Sequence, residues 1–434
     1  AHGCELWRTD GTPGGTFLVK DIHPGPGDSA PRRLAAANGW LYFVARDGTS
    51  MLESVWRTSG TEAGTALVES ADPRGDFVVA GDAVVFLAAS PPWAYVEPWI
   101  TAIGSSVAVP LGSLKPGLAL KSSDHLVATG GIAYFVADDS VHGIELWRSD
   151  GTGAGTRLVK DLAPGTLSSV IPELGVTAGK VFLNGPGGVL WASDGTDSGT
   201  GPLATSGGAP VPSPDGFAGA ESQVFFVSGT QLWRSDGTPA GTRAIGPIGS
   251  GQRVLVTAGP WAYYKVDGPS GRDQLWRTDG SSAGTVLVKE FVDEMPHWSV
   301  GLTRFGRRLY FHAQDALGGT VTYRTEGTAA STVRLFGIPA PDPLASGSLS
   351  PAAVASGFFA FAIDPVAGLE PSFLASEPGL DADGDGIPDL REIDAGRDPE
   401  RKDNDIFSLT QASAALFAML QYRDFLAREG DTGG

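Results

Sequence analysis

The chain has 434 residues, with 31 basic and 49 acidic side chains and a formal net charge of −18. Its 61 glycines and 31 prolines exclude a mostly helical fold, because helix interiors do not tolerate that density. The acidity makes nucleic acid and anionic membranes poor partners, no apolar run reaches the roughly 18 residues a membrane span needs, and the one cysteine, Cys4, excludes an internal disulfide.

One phrase recurs along the chain. It reads ELWRTDGTPGGT at 5–16, SVWRTSGTEAGT at 54–65, ELWRSDGTGAGT at 145–156, VLWASDGTDSGT at 189–200, QLWRSDGTPAGT at 231–242 and QLWRTDGSSAGT at 274–285. Degenerate copies surround Trp99, Tyr323 and Phe373. From Trp7 through Trp56, Trp99, Trp147, Trp191, Trp233, Trp276 and Tyr323 to Phe373, the anchoring aromatics are spaced by 49, 43, 48, 44, 42, 43, 47 and 50 residues. A period of this size means a repeat architecture.

Each unit reads as four short strands. Leu34–Asn38 turns at Gly39 into Leu41–Ala45, then Val55–Thr58 carries the tryptophan and Ala66–Glu69 follows a glycine-containing turn. The unit at 121–161 repeats the pattern as Leu126–Thr129, Ala133–Ala137, Glu145–Ser149 and Arg157–Asp161. Four antiparallel strands per unit of this length make one β-propeller blade. The expected fold is therefore all-β, with the propeller over residues 1–375. The chain opens with third and fourth strands at 5–21, continues with seven full units from about 34 to 336, and supplies first and second strands at about 352–363. Joining the two ends as a two-plus-two composite blade gives eight blades and removes the free sheet edges. The segment LEPSFLAS, 369–376, competes with Glu5–Thr9 for the third-strand place, and seven blades is the alternative.

The phrase resembles the ELWxxDGTxxGT repeats of bacterial secreted and surface propellers, over nearly all of residues 1–375. The resemblance implies the fold and an extracellular setting, and no activity. Strand alternation puts Glu5, Trp7 and Thr9 on one face and Leu6 and Arg8 on the other, with the tryptophan packing between blades. Asp10-Gly11 makes a tight turn in which the carboxylate accepts backbone N–H groups, and Asp150, Asp194, Asp236 and Asp279 do the same. Ser59 and Glu326 stand where the other copies have aspartate, which weakens those turns.

Residues 376–405 form the expected calcium-binding linker. In DADGDGIPDLRE, 381–392, Asp381, Asp383 and Asp385 occupy positions 1, 3 and 5 of a calcium loop. Gly386 provides the sharp turn, Ile387 its carbonyl at position 7, Asp389 position 9 and Glu392 a bidentate carboxylate at position 12. This is the oxygen-only set a hard cation takes, at EF-hand spacing. Pro388 departs from the EF-hand pattern. The longer run 381–405 resembles a thrombospondin type 3 repeat, which implies a second ion on Asp394, Asp398, Asp403 and Asp405 and a calcium-stiffened strut outside the cell. Stretch 377–405 holds 11 acids and 4 bases, so without cations it repels itself and extends.

Residues 406–434 are expected to be a helical segment. Ser408–Gln411 can form a capping box, and Ala415, Met419, Tyr422 and Leu426 make an apolar stripe. The stretch QYRDFLAREGDTGG, 421–434, resembles the opening of a small helical domain of bacterial surface and S-layer-associated proteins, which implies a truncated domain. The expected partner for the stripe is the propeller itself or a neighbouring subunit.

No catalytic pattern stands out. The six histidines do not pair at metal-ligand spacing, and HExxH, Walker A and Rossmann motifs are missing. His2-Gly3 and His142-Gly143 precede the same strand in two repeats, which points to a loop role, and Cys4 takes the place of Ile144. The expectation is a non-enzymatic extracellular scaffold, a propeller subunit of a cell-surface or filamentous assembly braced by calcium, self-associating or binding other surface proteins. The alternative is a lectin-like or adhesive propeller that binds glycans, with Trp40, Trp93, Trp261 and Trp298 as exposed aromatics; an enzyme with a loop-built site comes third.

Overall fold

A computed structural model describes residues 2–3, 5–8, 17–49, 52–69, 72–90, 95–111, 126–169, 171–220, 222–248, 255–267, 273–291, 303–305, 308–314, 320–339, 352–354, 357–364, 368–375 and 419–421. Among these residues every regular element longer than a turn is a β-strand, and no helix is long and apolar enough to cross a membrane.

The strands fall into sheets in chain order. The first two are β1 (Glu5–Arg8) and β2 (Phe17–Lys20). A four-stranded sheet follows from β3 (Arg32–Ala37), β4 (Trp40–Ala45), β5 (Ser54–Thr58) and β6 (Ala66–Glu69). The next contains β7 (Asp72–Ala80), β8 (Ala83–Ser90), β9 (Tyr95–Ala102) and β10 (Val109–Pro110). Then come β11 (Leu126–Thr129), β12 (Ile132–Asp138), β13 (Ile144–Ser149) and β14 (Arg157–Lys160). The pattern repeats with β15 (Leu174–Thr177), β16 (Lys180–Gly185), β17 (Val189–Ser193) and β18 (Gly201–Pro202). It repeats again with β19 (Pro214–Gly219), β20 (Val224–Ser228), β21 (Gln231–Ser235) and β22 (Arg243–Pro247). Two more sheets comprise β23 (Leu255–Ala258), β24 (Trp261–Asp267), β25 (Asp273–Thr278), β26 (Val286–Glu290), and β27 (Thr303–Phe305), β28 (Arg308–Gln314), β29 (Thr320–Thr325), β30 (Val333–Pro339). The last strands are β31 (Ala352–Val354), β32 (Gly357–Asp364), β33 (Gly368–Ala375) and β34 (Met419–Gln421).

All seven four-stranded sheets are antiparallel meanders in sequence order. They coincide with the seven full units read from the sequence, and they fit a β-propeller. The register explains the repeat. The anchoring aromatic of each third strand opposes a large apolar residue of the second: Phe43↔Trp56, Phe86↔Trp99, Phe135↔Trp147, Leu183↔Trp191, Phe226↔Trp233 and Tyr264↔Trp276. The degenerate copies keep this place, as Phe311↔Tyr323 and Phe359↔Phe373. A register shift recurs between the third and fourth strands at the residue before the aromatic, at Leu6/Trp7, Leu146/Trp147, Leu232/Trp233 and Leu275/Trp276. Such a bulge increases the local twist of the outer strand pair.

The ends pair differently from the expected composite blade. β32 takes β33 as its partner, so 368–375 holds the third-strand place that the eight-blade count gave to Glu5–Thr9. β1 pairs instead with β34, in the register Glu5↔Gln421, Leu6↔Leu420 and Trp7↔Met419. Met419–Gln421 is therefore a strand, not part of a helix: β1 offers a row of backbone donors and acceptors that an extended segment satisfies. The remainder of the expected helix lies outside the described residues.

The chain divides into two units, residues 1–67, 295–326 and 333–434 in one and residues 68–294 and 327–332 in the other. In the first, Leu6, Val19 and Ile22 pack with Leu41, Phe43 and Trp56. In the second, the first strands β7, β11, β15, β19 and β23 touch in succession. Leu and Trp of the repeated phrase serve opposite faces. Trp147 packs toward the preceding sheet, among Val85, Leu87 and Ile100. Leu146 packs toward the following one, with Val181 and Leu183. The same relation joins Trp233 to Phe182 and Leu190, and Trp276 to Val227 and Leu232. Each sheet alone leaves both faces exposed, so stacking neighbours is what builds the core.

Candidate functional site

The residues with chemistry recur at two places: the turn after the tryptophan strand and, in three units, the loop after the fourth strand.

The turn is built the same way four times. The Oδ1 of Asp150, Asp194, Asp236 and Asp279 accepts the backbone N–H two residues on, at 2.8–2.9 Å, and the hydroxyl of that same residue, at 2.7 Å. That hydroxyl, from Thr152, Thr196, Thr238 or Ser281, accepts the N–H of the glycine three further on at 2.9–3.0 Å. The closing threonines, Thr156, Thr200, Thr242 and Thr285, reach back to the hydroxyl before the aspartate at 2.7 Å. A Cβ on Gly155, Gly199, Gly241 or Gly284 would fall on the aspartate carboxylate, which explains the last glycine of the phrase. Hydrogen bonds from Thr152 and Thr196 hold Asp150 and Asp194 below the usual carboxylate range. At Asp236 and Asp279 burial pushes upward, but the bonds from Thr238 and Ser281 outweigh it and the net shift is again down. Ser59 keeps part of the turn: Gly64 N–H still meets Thr61 Oγ1 at 3.0 Å, and Ser59 and Thr61 hydroxyls lie 3.3 Å apart. Glu326 accepts instead from Arg308 Nε, at 2.8 Å.

These turns also join sheets. Gly195 O accepts from Arg148 Nη1 of the preceding sheet at 3.2 Å, Asp236 O from Lys180 at 3.2 Å, and Asp279 O from Gln223 at 2.8 Å. Gly195 has φ +84°, and a Cβ there would meet the Tyr134 hydroxyl.

The loop anchor was not legible as a motif, yet it recurs. Glu145, fully buried, accepts Leu162 N–H at 2.9 Å, Ala163 N–H at 3.1 Å and the Ser169 hydroxyl at 3.0 Å. Glu5, also fully buried, does the same with Ile22 N–H at 3.1 Å, His23 N–H at 2.9 Å and Ser29 Oγ at 2.6 Å. Burial raises both carboxyl groups above their ordinary value despite three hydrogen bonds each, and Asp21 or Asp161 adds like-charge repulsion. The sequence signal is the parallel between VKDIHPGPGDS at 19–29 and VKDLAPGTLSS at 159–169. In a third unit Gln274 takes the glutamate's place and donates to Glu290 at 2.8 Å, so the pair carries one charge instead of two.

The histidine loops belong to the same anchor. Gly3 and Gly143 have φ of +64° and +71°, and a Cβ on them would strike Gly27 O and Leu167 O. His2 Nδ1 lies 2.8 Å from Asp21 Oδ2. His142 Nδ1 lies 2.7 Å from Asp139 Oδ2, a bond that raises the imidazole's value. Trp40 and Trp261 are each covered on one face by an arginine, Arg57 at 4.2 Å and Arg277 at 3.7 Å from the ring centroid. Cys4, Asp10, Trp93 and Trp298 lie outside the described residues. So do all the calcium-loop positions, Asp381, Asp383, Asp385, Ile387, Asp389 and Glu392, and the second set Asp394, Asp398, Asp403 and Asp405. Among the described residues no three His, Cys, Asp or Glu side chains gather as a metal site.

No protein-family model and no curated protein matches the chain. Solved structures do. A computationally designed protein, Ika8, aligns at 13% identity over 73% of this chain and 86% of its own, with a TM-score of 0.39. BamB from Moraxella catarrhalis aligns at 13% identity over 76% of this chain and 92% of its own, TM-score 0.41. A structure from a study of two prolyl endopeptidases aligns at 13% identity over 78% of this chain, TM-score 0.44, and the chain spans 52% of that protein's length.

Proposed function

We propose that the chain is a non-enzymatic extracellular scaffold: a propeller carried on a calcium-binding linker, acting as a subunit of a cell-surface or filamentous assembly. In this reading the seven four-stranded sheets are blades. One observation carries it. The polar residues that recur from blade to blade are engaged in holding the fold: the aspartates in their own turns, the glutamates in their loops, the Arg, Lys and Gln donors on the next sheet's turn. Residues bound this way build a rigid frame and present a surface to partners. The lectin-like alternative is less well supported, because Trp40 and Trp261, two of its four aromatics, already have a ring face under an arginine.

Calcium fits the donor chemistry at 381–392, where every liganding position offers oxygen, from a side-chain carboxylate or, at Ile387, the backbone carbonyl. Asp381, Asp383, Asp385, Asp389, Glu392 and the Ile387 carbonyl would hold it. A bound cation would offset part of the acidic run's charge and so favour one shape for the linker. Calorimetric titration of the full chain with calcium tests the site: binding is expected, and replacing Asp381, Asp385 and Glu392 by Ala should abolish it while the circular dichroism of the sheets is unchanged. An unchanged titration in that variant contradicts the assignment.

A further inference from the structure

Six Asp-Gly pairs lie wholly among the described residues: 47–48, 150–151, 194–195, 215–216, 236–237 and 279–280. Asp-Gly bonds are chemically fragile. The glycine nitrogen attacks the aspartate Cγ, water leaves, and the succinimide ring formed is reopened by water to aspartate or isoaspartate. The net change is an isomerisation needing no other reactant.

Five of the six pairs tie up the attacking nitrogen. Gly151, Gly195, Gly237 and Gly280 donate their N–H to the hydroxyl before the aspartate, Ser149, Ser193, Ser235 or Thr278, at 2.9–3.1 Å. Gly216 N–H donates to Glu173 Oε2 at 2.8 Å and to Asp215 Oδ1 at 2.9 Å. The sixth pair differs. Asp47 Oδ1 accepts Thr49 N–H and hydroxyl as in the other turns, at 2.9 and 2.7 Å. But Arg46 stands where the others have a hydroxyl, and Gly48 is exposed whereas Gly195 and Gly280 are buried. An imidazole also lies beside it: a Cβ on Gly48 would fall on the His23 ring, nearest Nε2. His23 Nδ1 faces Asp28 O at 3.2 Å, and a carbonyl can only accept, so the neutral ring keeps its lone pair on Nε2.

We propose that Asp47-Gly48 is a site of spontaneous isoaspartate formation, with His23 Nε2 taking the glycine proton, and that the repeated hydroxyl protects the other turns from the same reaction. The Gly48 nitrogen loses its proton to His23 and bonds to Asp47 Cγ. The departing carboxyl oxygen leaves as water, with the carboxyl's own proton and the one His23 gives back. Hydrolysis on the main-chain side of the ring then inserts one carbon into the backbone of the loop between β4 and β5.

The test is prolonged incubation of the full chain at mildly acidic pH and physiological temperature, followed by peptide mapping with fragmentation that separates isoaspartate from aspartate. Isoaspartate is expected to accumulate at position 47 severalfold faster than at 150, 194, 236 or 279. Arg46→Ser, which restores the hydroxyl at an exposed position, should slow it severalfold, and His23→Gln should slow it as well. Ser193→Ala should expose position 194 to conversion while sheet circular dichroism stays native. Equal rates at 47 and 194 in the unaltered chain, or an Arg46→Ser rate equal to the parent's, would overturn the proposal. The Arg46→Ser arm decides the matter if Ser193→Ala does not fold.

Discussion

Glu145 and Asp150 sit five residues apart, at the two ends of one strand, and their carboxyl groups shift in opposite directions. Both accept multiple hydrogen bonds from backbone and hydroxyl donors. The difference is water. Asp150 is exposed, so its bonds act almost unopposed and favour the charged form. Glu145 is fully buried, so loss of solvation outweighs comparable bonds and favours the neutral form. One end of this strand is a surface turn that tolerates charge, and the other is a buried anchor that resists it.

Breaking the anchor should cost most. Glu145→Ala leaves Leu162 N–H, Ala163 N–H and the Ser169 hydroxyl without their acceptor, and at about 1–3 kcal/mol for each unsatisfied buried group the loss is about 3 kcal/mol or more. Urea unfolding measures it. Gly195→Ala forces a left-handed residue and pushes on Tyr134, for a loss of about 2 kcal/mol. Asp150→Ala opens an exposed turn that water can re-solvate, so its loss should be smaller than either of these. Ser59→Asp runs the comparison backwards: it completes the defective turn and should add about 0.5–1 kcal/mol.

The pH dependence sharpens the same contrast. For Glu145 the folded value is raised, so between the unfolded and folded values the folded chain holds a proton that the unfolded chain has released. Its contribution is present at low pH and lost as pH rises through that window. For Asp150 the folded value is lowered, so its contribution is present above the unfolded value and lost as pH falls toward the folded one. Glu145→Gln should remove Glu145's share of the first trend, leaving that of Glu5 and the whole of the second, read as the change in unfolding free energy across the carboxylate range.

The blade repeat was legible because its period is fixed by packing. The strands expected at Leu34–Asn38, Leu41–Ala45, Ala133–Ala137 and Glu145–Ser149 differ from those observed by one to three residues at their ends. Even the degenerate anchors Trp99, Tyr323 and Phe373 keep their register, because the position facing the second strand demands bulk. The aspartate turn was legible because its partners lie within six residues. The glutamate anchor was not, because Ser29 and Ser169 stand 24 residues downstream and no local pattern joins them. The end strands were half legible. LEPSFLAS, 369–376, read as a competitor for the third-strand place, which 368–375 takes, but no repeat signal marks 419–421 as the partner of Glu5–Arg8. The calcium loop rests on ligand spacing, and its positions lie outside the described residues.

Electron microscopy of the full chain, in calcium and then in EDTA, addresses the scaffold reading most directly. Rings or filaments in calcium that dissolve in EDTA are the predicted result. Single propeller-sized particles under both conditions would contradict a calcium-braced assembly.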